Sequence, residues 1–309
     1  MATALVSHSA CLDHETPPGH PESSDRLRAV LRALDDDAFR PLRREDAPRA
    51  TREALARVHP ERHIDAVFQH IPAHGFFHLD PDTVVSPGSG EAALRAAGAV
   101  AHAVDLVMAG EARNAFCAVR PPGHHAEPAV AMGFCLFNNV AVGALHARAA
   151  HGCARLAVVD FDVHHGNGTQ ALAQRDPDFF YGSTHQAPLY PGTGRAAERG
   201  IADNVVNMPL PPLAESDAFR AALAEGIFPA LERFAPDFVL ISAGFDGHAA
   251  DPLAQLRLVE ADFAWATSEL CAIARRRCGG RVVSALEGGY DLDALARSAQ
   301  AHVGALMAG

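Results

Sequence analysis

The sequence predicts an α/β protein built on a parallel sheet with helices on both faces. Three observations carry that reading. Apolar runs of strand length recur along the chain and are unbroken rather than alternating, the mark of strands buried on both faces. Helical periodicities separate most of these runs, and such alternation folds into right-handed parallel crossovers. Hydrophobic residues make up 49% of the 309 positions, enough for a sizeable core, and charged residues only 20%, which argues against a disordered chain.

The strand runs are 4–6, 115–119, 156–159, 179–181, 205–208, 238–241 and 282–286. Between them, 91–108 carries Leu94, Ala97, Ala101, Val104 and Met108 at helical spacing, with Ser89 as the expected N-cap. Residues 138–150 are alanine-rich and stop at Gly152. Residues 217–234 place Phe219, Leu223, Ile227, Leu231 and Phe234 on one stripe, with a kink expected at Pro229. Helices at 261–277 and 292–307 complete the series. Before residue 85 the pattern is less regular, with helices near 24–34 and 63–70. Residues 80–90, rich in Pro, Gly and Asp, read as a surface loop. Asp80 and Asp82 read as solvated acids there, in preference to a grip on a substrate backbone at the rim. No repeat, low-complexity tract or linker interrupts the chain, so one domain over 1–309 is expected.

Acidic residues outnumber basic ones, 37 to 26, for a formal charge of −11. That balance disfavours a nucleic-acid partner, which needs clustered Lys and Arg, and suits a cationic substrate. The six cysteines, at 11, 117, 135, 153, 271 and 278, form no Cys-x-x-Cys pair and read as reduced, buried thiols. The N-terminus has no basic segment followed by a long apolar one, and no stretch approaches the roughly 20 apolar residues of a membrane span. A soluble, cytoplasmic protein with no membrane partner is expected. Its oligomeric state is not legible.

Four polar motifs sit just past the ends of strand runs. They are Arg120-Pro121-Pro122-Gly123-His124-His125, Asp160 through Gly168, Gly244-Phe245-Asp246 and Glu287-Gly288-Gly289-Tyr290. In a parallel sheet all four converge on one rim, where open α/β folds place their sites. Asp160, Asp162 and His164 alternate with period 2, so on an extended segment they would point the same way. The strand leaves the sheet here, so not all three need converge. A carboxylate with an imidazole two residues on, joined by Asp246, makes a set of two oxygens and one nitrogen. That set suits Zn²⁺ and tolerates Fe²⁺, Mn²⁺ or Co²⁺, with a position left open. His124 and His125, on a stiff Pro-Pro-Gly turn, can serve as acid and base if distinct partners separate their pKa values; Asp160 and Asn167 are candidates. The Tyr290 hydroxyl can donate to a developing oxyanion. No Gly-x-Ser-x-Gly, phosphate loop or dinucleotide fingerprint is present.

These motifs resemble a known family. Arg-Pro-Pro-Gly-His-His-Ala at 120–126, Gly-Phe-Cys-Leu-Phe-Asn-Asn at 133–139 and Asp-Phe-Asp-Val-His-His-Gly-Asn-Gly-Thr-Gln at 160–170 are joined by Ser-Ala-Gly-Phe-Asp at 242–246 and Leu-Glu-Gly-Gly-Tyr at 286–290. Together with His20-Pro21-Glu22 they are similar to the zinc-dependent histone deacetylase and acetylpolyamine amidohydrolase family, on its class II side. The resemblance implies an arginase-like, three-layer α/β/α fold with a single, mostly parallel, eight-stranded sheet. It implies Asp162, His164 and Asp246 as zinc ligands, His125 as general base then acid, and His124 as its electrostatic companion. Asp160 and Asn167 match residues that orient the two histidines, and Tyr290 the carbonyl-polarising tyrosine. Phe134 and Tyr190 match the walls of an acyl-lysine tunnel, with Gly133 between them and the histidines. A structural potassium ion is implied at Asp160, Asp162, His164, Ser183 and Thr184. Asn167 stands where some members carry a second Asp, so His125 should be less basic than in those. Leu253 stands where polyamine-selective vertebrate members carry a glutamate, which favours acyl-lysine. The expected substrate is an acylated lysine peptide or a small acyl amide. A deacetylase of acetylpolyamines or other small acyl amides on the same fold, a non-catalytic acyl-lysine binding module and a two-manganese hydrolase are the alternatives.

Overall fold

In a computed structural model describing residues 1–309, the strand runs join into one eight-stranded sheet. The elements are, in chain order, β1 (Ala4–Ser7), α1 (Ser24–Ala33), β2 (Arg43–Asp46), α2 (Arg52–Ala56), α3 (Glu61–Gln69), β3 (Phe77–His78), β4 (Val84–Val85), α4 (Ser89–Met108), β5 (Ala115–Cys117), α5 (Asn139–His151), β6 (Leu156–Asp160), α6 (Asn167–Ala173), β7 (Phe179–Gln186), β8 (Val205–Leu210), α7 (Ser216–Ala221), α8 (Phe228–Phe234), β9 (Phe238–Ala243), α9 (Glu260–Cys278), β10 (Val282–Leu286) and α10 (Leu292–Ala308). The sheet order is β2-β1-β5-β10-β9-β6-β7-β8, and every neighbouring pair is parallel. Helices cover both faces. Every residue of β5, β6, β9 and β10 is buried, as their unbroken apolar runs require. These four strands are consecutive neighbours at the centre, and they are the four that carry the polar motifs. Their C-terminal ends therefore share one short stretch of rim.

Local chemistry sets most boundaries. Asn138 caps α5 by accepting the Ala141 N–H, and Gly152 ends it in the left-handed region at φ +69°. Three expectations change. Ser89 lies inside the first turn of α4, not at its cap; its hydroxyl accepts the Ser86 N–H and pairs with His14. The cap is Gly88, where a Cβ would sit 2.2 Å from the Asp13 carbonyl oxygen. The helix over 217–234 is interrupted before Pro229, by a π-helical turn at Ala222–Ile227. Pro229 then falls in the first turn of α8, where no intrahelical N–H bond is needed. Residues 80–90 are only partly a surface loop: Val84 and Val85 are buried and pair antiparallel with β3.

The sequence pattern did not show β2. It is Arg-Arg-Glu-Asp at the sheet edge, with one neighbour and alternating exposure, so it lacks the apolar signature. The less regular early region is anchored by a small apolar cluster that joins Leu55, Ile64 and Val67 to Phe137 and Val142. All six cysteines are free and buried. No helix is long and apolar enough to cross a membrane.

Candidate active site

The loop after β6 is shaped by its own acids. Asp160 Oδ1 accepts the Asp162 N–H (3.1 Å), and Asp162 Oδ1 accepts the His164 N–H (2.9 Å). Asp246 arrives from β9. Its Oδ1 accepts the Val163 N–H (2.9 Å), leaving Oδ2 at 3.0 Å from His164 Nδ1. Asp162 Oδ1 lies 3.2 Å from the same nitrogen. One ligating atom from each of Asp162, His164 and Asp246 lies within 4.8 Å of the others. Asp160 does not join them; its Oδ2 faces His124 Nδ1 at 3.0 Å and accepts the Tyr181 hydroxyl at 3.0 Å.

The three side chains fit a divalent cation. All are buried, and burial together with the nearby charge of Asp162 pushes Asp246 up to about 7, an unfavourable ionisation that a bound cation would relieve. Glycines hold the space around them open: a Cβ on Gly244 would lie 2.0 Å from Asp162 Oδ2, and one on Gly288 2.2 Å from Asp246 Oδ2. The Gly288 N–H also donates to Asp162 Oδ2 (2.8 Å).

The two histidines lie side by side, ring centroids 4.0 Å apart, with different partners. His124 pairs with Asp160, and His125 Nδ1 lies 2.8 Å from Asn167 Oδ1. Burial opposes charge on His124, but Asp162 and Asp160 override it and hold its pKa well above the ordinary value. Burial, reinforced by the charges of His124 and His164, holds His125 well below. The two are thus driven apart, His124 toward the charged form and His125 toward the neutral one.

Both histidines line a cavity of about 230 Å³ together with His164, Tyr290 and all four expected substrate contacts, Gly133, Phe134, Tyr190 and Leu253. Tyr190 stands edge-on to His125 (5.2 Å between centroids), and Phe134 edge-on to Tyr290 (5.9 Å). Burial raises the Tyr290 phenol well above its usual value, which keeps it a donor. Gly133 has φ +56°, and a Cβ there would meet His125 Cδ2 at 2.4 Å. Ser183 pairs with Asp160 in the β6–β7 register. Its hydroxyl bonds His185 Nδ1 (2.9 Å), while the buried Thr184 hydroxyl has no partner.

Several supports were not assigned a role from the sequence. Glu287 Oε2 accepts the N–H groups of Gly123 (2.6 Å) and His124 (3.1 Å), locking one motif to another. Asn167 Nδ2 donates to Glu127 (2.9 Å), and Asp251 accepts the Tyr290 N–H (2.7 Å). Asp82, expected to be a solvated loop acid, lines the cavity and accepts the Gly133 N–H at 3.2 Å. Asp80 is spent on its own turn, accepting the Asp82 and Thr83 N–H groups. One signal was available: the chain has only three tyrosines, and Tyr181, Tyr190 and Tyr290 all belong to this site.

A sequence model of the histone deacetylase domain matches residues 20–306. The chain belongs to the histone deacetylase family. Among similar proteins, the histone deacetylase-like amidohydrolase of Pseudomonas aeruginosa is 42% identical over 88% of this chain and 73% of its own length. Histone deacetylase 14, chloroplastic, of Arabidopsis thaliana is 38% identical over 96% of this chain and 75% of its own. A probable deacetylase of Archaeoglobus fulgidus is 36% identical over 95% and 82%. The crystal structure of the HDA15 HD domain superposes with a TM-score of 0.93 at 36% identity, covering 99% of this chain and 88% of that one. The eight-stranded histone deacetylase fold is thus shared, and the family is one of deacetylases and amidohydrolases.

Proposed function

We propose that this histone deacetylase-family protein is a hydrolase that removes acetyl or other short acyl groups from N-acyl-lysine, and that residues 1–309 act as one domain. The observation that carries the reading is the convergence of Asp162, His164 and Asp246, with His164 lining the same cavity as His125 and Tyr290. Those three residues would hold a divalent ion, Zn²⁺ or a substitute, which when bound supplies a Lewis acid and a lowered pKa for water. His125, neutral and steadied by Asn167, takes a proton from the attacking water and returns it to the leaving amine. His124, kept protonated by Asp160, offsets the charge of the acid cluster. The Tyr290 hydroxyl donates to the developing oxyanion. Phe134 and Tyr190 enclose the acyl-lysine stem. Asp82 at the same cavity suits a cationic or amide-bearing substrate, and apolar Leu253 favours lysine over a polyamine. The register that sets Ser183 opposite Asp160, with Thr184 next along β7, supports an oxygen-ligated potassium ion at these residues. Buried free thiols suit a cytoplasmic setting.

The test is one sample assayed for metal content and for acetate release from an acetyl-lysine peptide and from acetylputrescine. Tyr290→Phe is expected to retain its metal and lose about 100- to 1,000-fold in kcat. Near-normal turnover in that variant would remove the oxyanion role. Preference for acetylputrescine would move the substrate to small amides on the same machinery, and tight peptide binding without acetate release would make the protein a binding module.

A further inference from the structure

A second cluster of ligating side chains lies between α4 and α5, outside the cavity. These helices approach closely because Gly143 faces Val100; a Cβ on Gly143 would sit 2.3 Å from Val100 Cγ1. Asp105 lies five residues farther along α4, and His146 and His151 three and eight residues farther along α5. Nε2 of each imidazole is 2.7 Å from the same Asp105 oxygen, Oδ1. The three atoms all lie within 4.8 Å of one another. The rings meet edge-on, 80° between their planes, so the nitrogens converge rather than stack. The imidazole side chains are mostly packed, 18% and 24% exposed, whereas that of Asp105 is 48% exposed. Two fixed nitrogens and a carboxylate that opens to solvent leave room for water to complete a coordination shell.

We propose that Asp105, His146 and His151 form a second metal site, for Zn²⁺ or a similar borderline transition ion, that clips the C-terminal ends of α4 and α5 together. Two imidazoles and one carboxylate are a zinc-type donor set. Ca²⁺ and Mg²⁺ would want oxygens instead. Ligand atoms around a tetrahedral zinc stand about 3.3 Å apart, given metal–ligand distances near 2.0–2.1 Å. The observed spacing therefore asks each side chain to move outward by roughly half an ångström, within reach of partly exposed groups.

The test compares the untagged protein with a His146→Gln/His151→Gln double variant, in which each glutamine keeps an N–H donor for Asp105. Both are equilibrated with excess Zn²⁺, dialysed and analysed for zinc per chain. The natural sequence is expected to hold one more zinc than the variant, and added Zn²⁺ to raise its thermal midpoint but not the variant's. Deacetylase activity should be the same in both. Equal zinc content, or an equal zinc-induced rise, overturns the proposal. Both proteins retain Asp162, His164 and Asp246, so a failure of the catalytic metal would change each total but not their difference. Should the double variant not fold, Asp105→Asn keeps the acceptor oxygen without the charge. It is expected to weaken the extra zinc by at least about tenfold, the loss that even an outer-shell change brings; unchanged affinity refutes the site.

Discussion

Glu22 holds the candidate site together from behind, and Glu22→Gln measures how much. Its carboxylate accepts Arg26 Nη1 at 2.9 Å and Arg120 Nη2 at 2.6 Å, and all three side chains are fully buried. Burial favours the neutral acid, yet Arg120, His14 and Arg26 together hold its pKa well below the usual carboxylate range. Arg120 starts the turn that presents His124 and His125, and it also donates to the carbonyls of Cys11 and His14. Arg26 donates to the carbonyls of Glu287 and Gly289, and its guanidinium lies 4.8 Å from the Tyr290 ring centroid. Glutamine preserves shape but leaves two buried guanidinium charges without the carboxylate they share. Breaking a buried pair in this way costs about 3–5 kcal/mol. Unfolding entropy near 2.1 cal/mol/K per residue, over 309 residues, gives about 0.65 kcal/mol for each degree. The expected fall in Tm is therefore about 5–8 °C, read by calorimetry. Asp37→Asn, at an ion pair whose side chains are 77% and 79% exposed, should move Tm by less than about 1 °C. A Glu22→Gln midpoint within about 2 °C of the natural protein would refute the account of the buried triad.

Two further outcomes follow from the packing. Gly133→Ala should lower kcat/KM by about 100-fold with metal content unchanged, because the new methyl displaces the His125 ring; unaltered kinetics would show that the ring tolerates the shift. Acid should unfold the protein through buried histidines remote from the site. Burial drives His59 and His302 down to about 3, so each binds a proton far more readily unfolded, near its ordinary value of about 6.5. The unfolded chain thus takes up more protons, and stability is lost as pH falls below about 6.5, by about 2 kcal/mol per histidine between pH 7 and pH 5. Urea midpoints across that range should fall, and His302→Gln should flatten the slope; an unchanged slope would exclude His302 as a contributor.

The residues of the candidate site were legible because chemistry at a strand end is local. Each motif follows an unbroken apolar run, the pattern of an inner strand, so His124, Asp162, Asp246 and Tyr290 are expected on one rim. Helix ends were legible for the same reason: Asn138 and Gly152 act on backbone groups only a few residues away. The edge strand β2 was not, because pairing with a single neighbour leaves it polar.

What only the tertiary structure decided was everything that depends on pairing distant segments. Strand order is one case: β10 and β9 enter between β5 and β6, and that alone makes four separate motifs adjacent. The choice between the two aspartates, which the family resemblance implies but their spacing does not, is another. Period-2 spacing treats Asp160 and Asp162 alike, but the turn after β6 sends Asp160 to His124 and Tyr181 and Asp162 to His164. Asp82 and Glu127 reach the site through loop geometry that leaves no periodic trace. The sequence by itself determined which residues have the chemistry, since side-chain type and backbone pattern act over a few positions. Which of them meet was decided by long-range packing of β-strands and helices, whose partners lie as far apart in the chain as Arg26 and Gly289, 263 residues.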